Sequence, residues 1–202
     1  MVTYFLLDFE FRKPCIKAGY MSEQSIAPNT HSVDSIPVAK TPKGGYKDDF
    51  PAAILSGCTT DLIAGAPDLR GLWEAYEVSI QGAPRTDHEI LGSIQRIEQS
   101  EDRIVITSGG VIHDMRCDGT EENGVNDVMA ADFKTPITVK ATYENGVHIL
   151  RPAGMPIEVR RWREGSNLVW DYGGVFSVRL KQVGSPEDIP TAIKPTSKEG
   201  RE

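Results

Sequence analysis

Gly71-Leu72-Trp73 stands at the head of a long run of short alternating segments that closes with Val175-Phe176-Ser177-Val178-Arg179-Leu180. Between these two stretches apolar and polar residues alternate with a period of two, and the runs are broken by Gly, Asn, Asp and Ser. That alternation predicts strands with one face buried and one face wet. Ten candidates fall at 72–81, 89–98, 103–108, 111–117, 125–131, 136–144, 146–151, 156–163, 167–172 and 174–183. Glu144-Asn145-Gly146 is the strongest hairpin signal, because Asn-Gly accepts the two positive φ angles of a type I′ turn. Asp118-Gly119, Asn123-Gly124, Glu164-Gly165-Ser166-Asn167 and Gly173-Gly174 supply further reversals. Long helical periodicity is absent after residue 68, so this part reads as an all-β antiparallel meander. Closure into a barrel removes the exposed edges that an open sheet of this size would carry, although a β-sandwich stays open on these grounds alone.

A Gly-x-Trp at the first strand paired with an Arg in the last, here Gly71-Leu72-Trp73 and Arg179, resembles the calycin superfamily of lipocalins and fatty-acid-binding proteins. The resemblance covers roughly residues 70–183. It implies a closed up-and-down barrel of 8–10 strands around one small apolar ligand. It also implies structural roles for two residues: Trp73 seals one barrel end and Arg179 packs across its indole by a cation–π contact. The long N-terminal arm departs from the short lead-in usual in that superfamily.

Composition narrows the function classes. The chain has 202 residues, 39% apolar and 25% charged, which suits one well-buried domain with an appendage. A net charge of −7 and a pI near 5.2 argue against a nucleic-acid partner, since phosphate binding needs clustered Lys and Arg. Arg160, Arg161 and Arg163 form the nearest basic cluster, too short to outweigh the acidic remainder. Cys15, Cys58 and Cys117 are too scattered for a disulfide framework or a zinc site, which fits a reducing cytoplasm. Tyr4-Phe5-Leu6-Leu7, followed by Asp8 and Glu10, is too short and too acidic for a signal peptide or a membrane span. No membrane partner is expected, and a homodimer is left open.

Three regions follow: an arm at 1–66, a barrel at 67–184 and a polar tail at 185–202. Met21 is followed by the polar Ser22-Glu23-Gln24-Ser25, so residues 1–20 read either as an upstream extension or as a misassigned start. Pro51-Ala52-Ala53-Ile54-Leu55 and Thr60-Asp61-Leu62-Ile63-Ala64 read as short helical turns. This stretch, 50–66, serves either as a plug in one barrel end or as a lid over the ligand. The barrel is expected to keep its stability without the arm.

Chemistry in a barrel belongs to polar residues that share the inward face with apolar ones. Val111, His113, Met115 and Cys117 share one face, which makes His113 either a general acid or base or a core histidine bonded to backbone. Either Asn126 or Asp127, but not both, faces inward after the next turn, as a carboxylate orienting His113 or an amide binding a substrate carbonyl. Glu158, Arg160 and Trp162 share one face of their strand, and Ile157, Val159 and Arg161 the other. If the first set points inward, Glu158 and Arg160 form a polarising wall beside an aromatic platform; if outward, they form a surface ion pair. Trp170 and Tyr172 share a face with Leu168 and belong to pocket or core, while Tyr76 and Tyr143 are further phenol donors. His113, Asp127 and Glu158 are thus the catalytic candidates. Tyr76, Met115, Asn126, Tyr143, Arg160, Trp162, Trp170 and Tyr172 are the ligand-binding ones.

No nucleophile elbow, phosphate-binding loop or dinucleotide fingerprint is present. The four histidines lack metal-ligand spacing, and a haem on His148 or His113, as in the nitrobindin-like calycins, has no supporting motif. No cofactor and no metal are expected. The favoured reading is a cofactor-free enzyme that binds a small hydrophobic metabolite and cyclises or isomerises it by shape preorganisation with acid/base assistance. The alternative is a noncatalytic carrier of a lipophilic small molecule.

Overall fold

Residues 31–190 are described by the structure, a computed structural model; Cys15, the expectations for residues 1–20 and those for the tail beyond 190 lie outside them. Eleven strands follow in chain order: β1 (Gly71–Ile80), β2 (Ala83–Arg85), β3 (Ile94–Ser100), β4 (Arg103–Ser108), β5 (Val111–Arg116), β6 (Val125–Val128), β7 (Pro136–Glu144), β8 (Val147–Pro152), β9 (Val159–Glu164), β10 (Asn167–Tyr172) and β11 (Phe176–Gly184). They form one antiparallel sheet in the order β5-β4-β3-β1-β11-β10-β9-β8-β7-β6, with β2 attached to β1. The last strand therefore returns to the first. The sheet curls until β5 and β6 adjoin, which makes a nearly closed up-and-down barrel. A 3-10 turn at Val33–Ser35 is the sole helical element among the described residues, and none there is long and apolar enough to cross a membrane.

Local chemistry sets the strand ends. Asn145 and Gly146 take φ of 51° and 78°, the two positive angles that the β7–β8 hairpin requires. Gln81 and Gly82, at 49° and 79°, do the same between β1 and the short β2, which the sequence reading does not contain. The strand expected from 89 begins only at Ile94, because residues 88–93 coil into turns with Leu91 N–H bonded to His88 O and Ser93 N–H to Ile90 O. β6 ends at Val128, three residues early, where Phe133 N–H turns back to Met129 O.

Inward residues of the strands build the main core, among them Trp73, Val78, Ile97, Ile104, Leu168 and Leu180. Gly71 lies so close to the first indole that a Cβ there would fall 3.0 Å from Trp73 Nε1, which explains the Gly-x-Trp pairing. Trp73 is fully buried and donates Nε1–H to Leu69 O. Its cation–π partner is Arg163, with the guanidinium 4.7 Å from the ring, and not Arg179. Period-two alternation is the reason: Val178 and Leu180 face inward, so Arg179 faces out and pairs with Glu77 and Glu164.

The arm takes another course from the lid or plug expected of residues 50–66. It packs on the outer face of β3, β4 and β5, where Tyr46, Phe50 and Leu55 cover the outward Leu72, Val105 and Ile112. The stretches at 51–55 and 60–64 are not helical. An irregular segment packed against apolar surface must still satisfy its backbone N–H and C=O groups. Buried charges on the barrel wall do so. Arg103 forms a bidentate ion pair with Asp114 and donates to Val33 O, Ile36 O and Pro37 O, while Asp114 accepts from Ala39 N–H. Arg96 donates to Pro51 O and lies over the Phe50 ring at 4.7 Å. Glu98 accepts Leu55 N–H at 2.6 Å, and Leu62 pairs with Glu101.

Candidate functional site

Trp73 and Arg163 fill one end of the barrel. Towards the other end lies a cavity of about 250 Å³, framed by the β4–β5, β6–β7 and β8–β9 turns. That volume is below the usual range of ligand pockets, about 300–1,000 Å³, so there is room only for a small molecule. Its walls are chiefly apolar, from Ile106, Val111, Val125, Ile137, Leu150 and Val159. Alternation along β5 brings His113 to the same surface, and along β10 it brings Trp170 and Tyr172. Phe176 stacks on Tyr172 at 5.1 Å and meets Trp170 edge-on at 5.3 Å, which fixes both rings.

Polar groups gather around Arg161. This residue is 5% exposed, lines the cavity and donates Nε–H to Gln95 Oε1 at 3.0 Å. Its guanidinium lies 5.2 Å from the Trp170 ring. Among the described residues no acidic side chain pairs with it, and Nη1 is buried without a hydrogen-bond partner. Burial lowers its pKa to about 9, which still leaves it cationic at neutral pH. His148, directly across the β8–β9 pair, is fully buried, and both ring nitrogens lack partners. Burial first and the Arg161 charge second lower its pKa to about 3, so it is neutral. Trp170 Nε1–H is likewise unmatched. Such groups are costly to leave unpaired; Arg161 and Trp170 belong to the cavity lining, whereas His148 lies behind it, with its ring against Tyr143.

His113 is half-buried, with Nε2 3.2 Å from Val128 O. Burial lowers its pKa, outweighing the Val128 contact and the nearby Asp127 charge, which favours the neutral, basic form.

The other sequence candidates lie elsewhere. Asp127 turns its carboxylate to Thr41 N–H of the arm and to Val128 N–H, so it does not orient the imidazole by a direct bond. Asn126 faces out and bonds Glu121 O and Thr138 Oγ1. Glu158 and Arg160 form a surface ion network with Arg151, and Trp162 shares their outward face, because β9 turns Val159 and Arg161 inward. Glu158 accordingly has a lowered pKa, owing to Arg160 and then Arg151. Tyr76 is 41% exposed on the outside. Met115 packs in the core, and Tyr143 accepts Gln99 Nε2–H away from the cavity. Cys117 is buried beside Tyr143, and desolvation raises its thiol to about 12, which keeps it unreactive.

No family model matches the chain, and no curated protein matches it. Among solved structures, human cRBP IV is similar, with a TM-score of 0.45 and 16% identity over 57% of this chain and 98% of that one. The strand path itself carries the assignment, since ten strands run up and down in chain order around the sheet, the last pairs with the first, and among the described residues β5 and β6 alone lack a ladder. The fold is a nearly closed up-and-down antiparallel β-barrel. Gln95 is absent from the sequence candidates, Arg161 figures there only as one face of its strand and in a basic cluster, and His148 only as a haem ligand. Their common signal is a polar side chain on the same face as Val159, Leu150 or Ile97, which alternation alone could have flagged for Arg161.

Proposed function

We propose that this chain binds a small, largely apolar molecule bearing a carboxylate or similarly strong acceptor group. The apolar body lies among Ile106, Val125, Ile137 and Leu150, and the acceptor meets Arg161. One observation carries this reading: a guanidinium buried in an apolar cavity, with a free N–H and no counter-charge. A ligand anion there gains bidentate, charge-assisted hydrogen bonds in a weakly screened site, and Trp170 of the same lining carries a further unmatched N–H.

The test is equilibrium titration with a matched set of a small aromatic acid, its methyl ester and its amide. The acid should bind at least tenfold more tightly than the ester in the wild-type chain, and that preference should vanish in Arg161→Met. Equal affinities for acid and ester in the wild type would sink the reading.

A second reading adds cyclisation or isomerisation of the bound molecule, with no cofactor. His113 favours it, as a neutral base on the same cavity wall, while Arg161 would stabilise negative charge developing on the substrate. The bound molecule should then be recovered changed from the wild type and unchanged from His113→Ala. Recovery unchanged from both leaves a carrier.

A further inference from the structure

Every neighbouring pair of strands around the barrel is joined by a backbone ladder except one. β5 and β6 are the two ends of the hydrogen-bonded path, and among the described residues no ladder links them. Behind this seam lies the cavity, since Val111 and His113 of β5 and Val125 of β6 all line it. In place of a ladder, three arm residues span the gap. Ala39 N–H donates to Asp114 of β5, and Thr41 Oγ1 accepts Ile112 N–H of the same strand. Thr41 N–H donates to Asp127 of β6, and Lys40 Nζ donates to Asn126 O. Between the strands themselves, the bond of His113 Nε2 to Val128 O is a side-chain tie.

We propose that the β5–β6 seam is a lateral gate for the small molecule and that Ala39–Thr41 is the latch that holds it shut. The proposal rests on the reading that the cavity is the binding site. A ladder opens only by cooperative loss of many backbone bonds, whereas this seam opens when a few side-chain and arm contacts release together. The latch touches both strand edges and none of the cavity-lining side chains of Arg161, Trp170 or Tyr172. It therefore sets how fast the ligand passes and leaves unchanged how tightly it is held.

The measurement is stopped-flow fluorescence of the full chain mixed with trans-cinnamate, a small apolar carboxylate, using Trp170 in the cavity wall as reporter. Thr41→Val keeps the side-chain volume and removes the hydroxyl bonds, and Lys40→Ala removes the bond to Asn126 O. Each should raise the association and dissociation rate constants together, by roughly three- to tenfold, the effect of one lost hydrogen bond on an opening equilibrium, with the ratio of the two unchanged. Met155→Trp, at the rim of the open end, should leave both rates as they are. Unchanged rates in both latch variants, or slowed rates in Met155→Trp alone, overturn the gate and make the barrel mouth the route. Loss of saturable cinnamate binding in the wild-type chain instead overturns the binding reading on which the gate rests.

Discussion

Arg161 is charged where the barrel offers no counter-charge, and that sets its effect on stability against the acceptor-binding role we propose for it. Burying an uncompensated guanidinium costs several kcal/mol, and a hydrophobic residue of similar length escapes that cost. Arg161→Met is therefore expected to raise unfolding stability by about 1–3 kcal/mol in urea denaturation while abolishing selectivity for acids. A lower denaturation midpoint would mean that the guanidinium already has a stabilising partner. His148 carries a related signature in its pH response. Its folded pKa of about 3 lies below the unfolded value of 6.5, so the folded chain binds its proton less readily than the unfolded chain. The resulting stability is present above pH 6.5 and is lost as pH falls towards 3, to a total on the order of 5 kcal/mol. His148→Gln should remove that acid-side slope from midpoints measured between pH 6.5 and 4.

At the scale of elements, the outer wall of β3 shows the opposite slope. Glu98 is 3% exposed, and burial raises its carboxyl to about 7, despite the Leu55 N–H bond and Arg96. Its folded pKa exceeds the unfolded 4.5, so the stability it contributes is complete below pH 4.5 and is lost as pH rises through 7, on the order of 3 kcal/mol in all. Glu98→Gln, which keeps an acceptor for Leu55 N–H, should flatten the denaturation midpoint between pH 5 and 8; a slope that survives assigns the titration to another group. The same wall shows why some elements were legible in the sequence and others not. β7–β8 could be read because Asn145-Gly146 states its turn type locally, whereas Gln81-Gly82 adopts the same angles without the usual residue and hides β2. β9 was ambiguous because each of its faces bears charge, and only barrel closure decides that Val159 and Arg161 go in. Arg161 is named in the sequence reading on one face of the strand but is not among the ligand-binding candidates, since interior positions rarely hold an unpaired cation. The arm has no period to read because its partners, Arg96, Glu98, Arg103 and Asp114, lie on strands far along the chain.

For the molecule as a whole, the arm decides whether the barrel is an independent unit. The sequence reading has a barrel that stands without it, but Tyr46, Phe50 and Leu55 form a second core with Leu72, Val105 and Ile112 on the outer wall. Removing residues 1–58 would return those three wall residues to water. It would also release the latch over the β5–β6 seam and leave the Arg103–Asp114 pair to solvent. The charges would regain hydration, which offsets their lost partners, so the decisive loss is apolar burial. At about 1.5–3 kcal/mol for each large side chain, three of them amount to a sizeable fraction of the 5–15 kcal/mol that holds a domain folded. The truncated chain is therefore expected to lose cooperative unfolding in urea, with broadened amide resonances along β4 and β5, the strands whose outward Val105 and Ile112 the arm covers. Phe50→Ala, a milder cut of about 3–5 kcal/mol, should lower the midpoint of the full chain and keep the transition cooperative. A truncated chain that unfolds with the wild-type midpoint and slope would show that the barrel stands alone and that the arm serves only the seam.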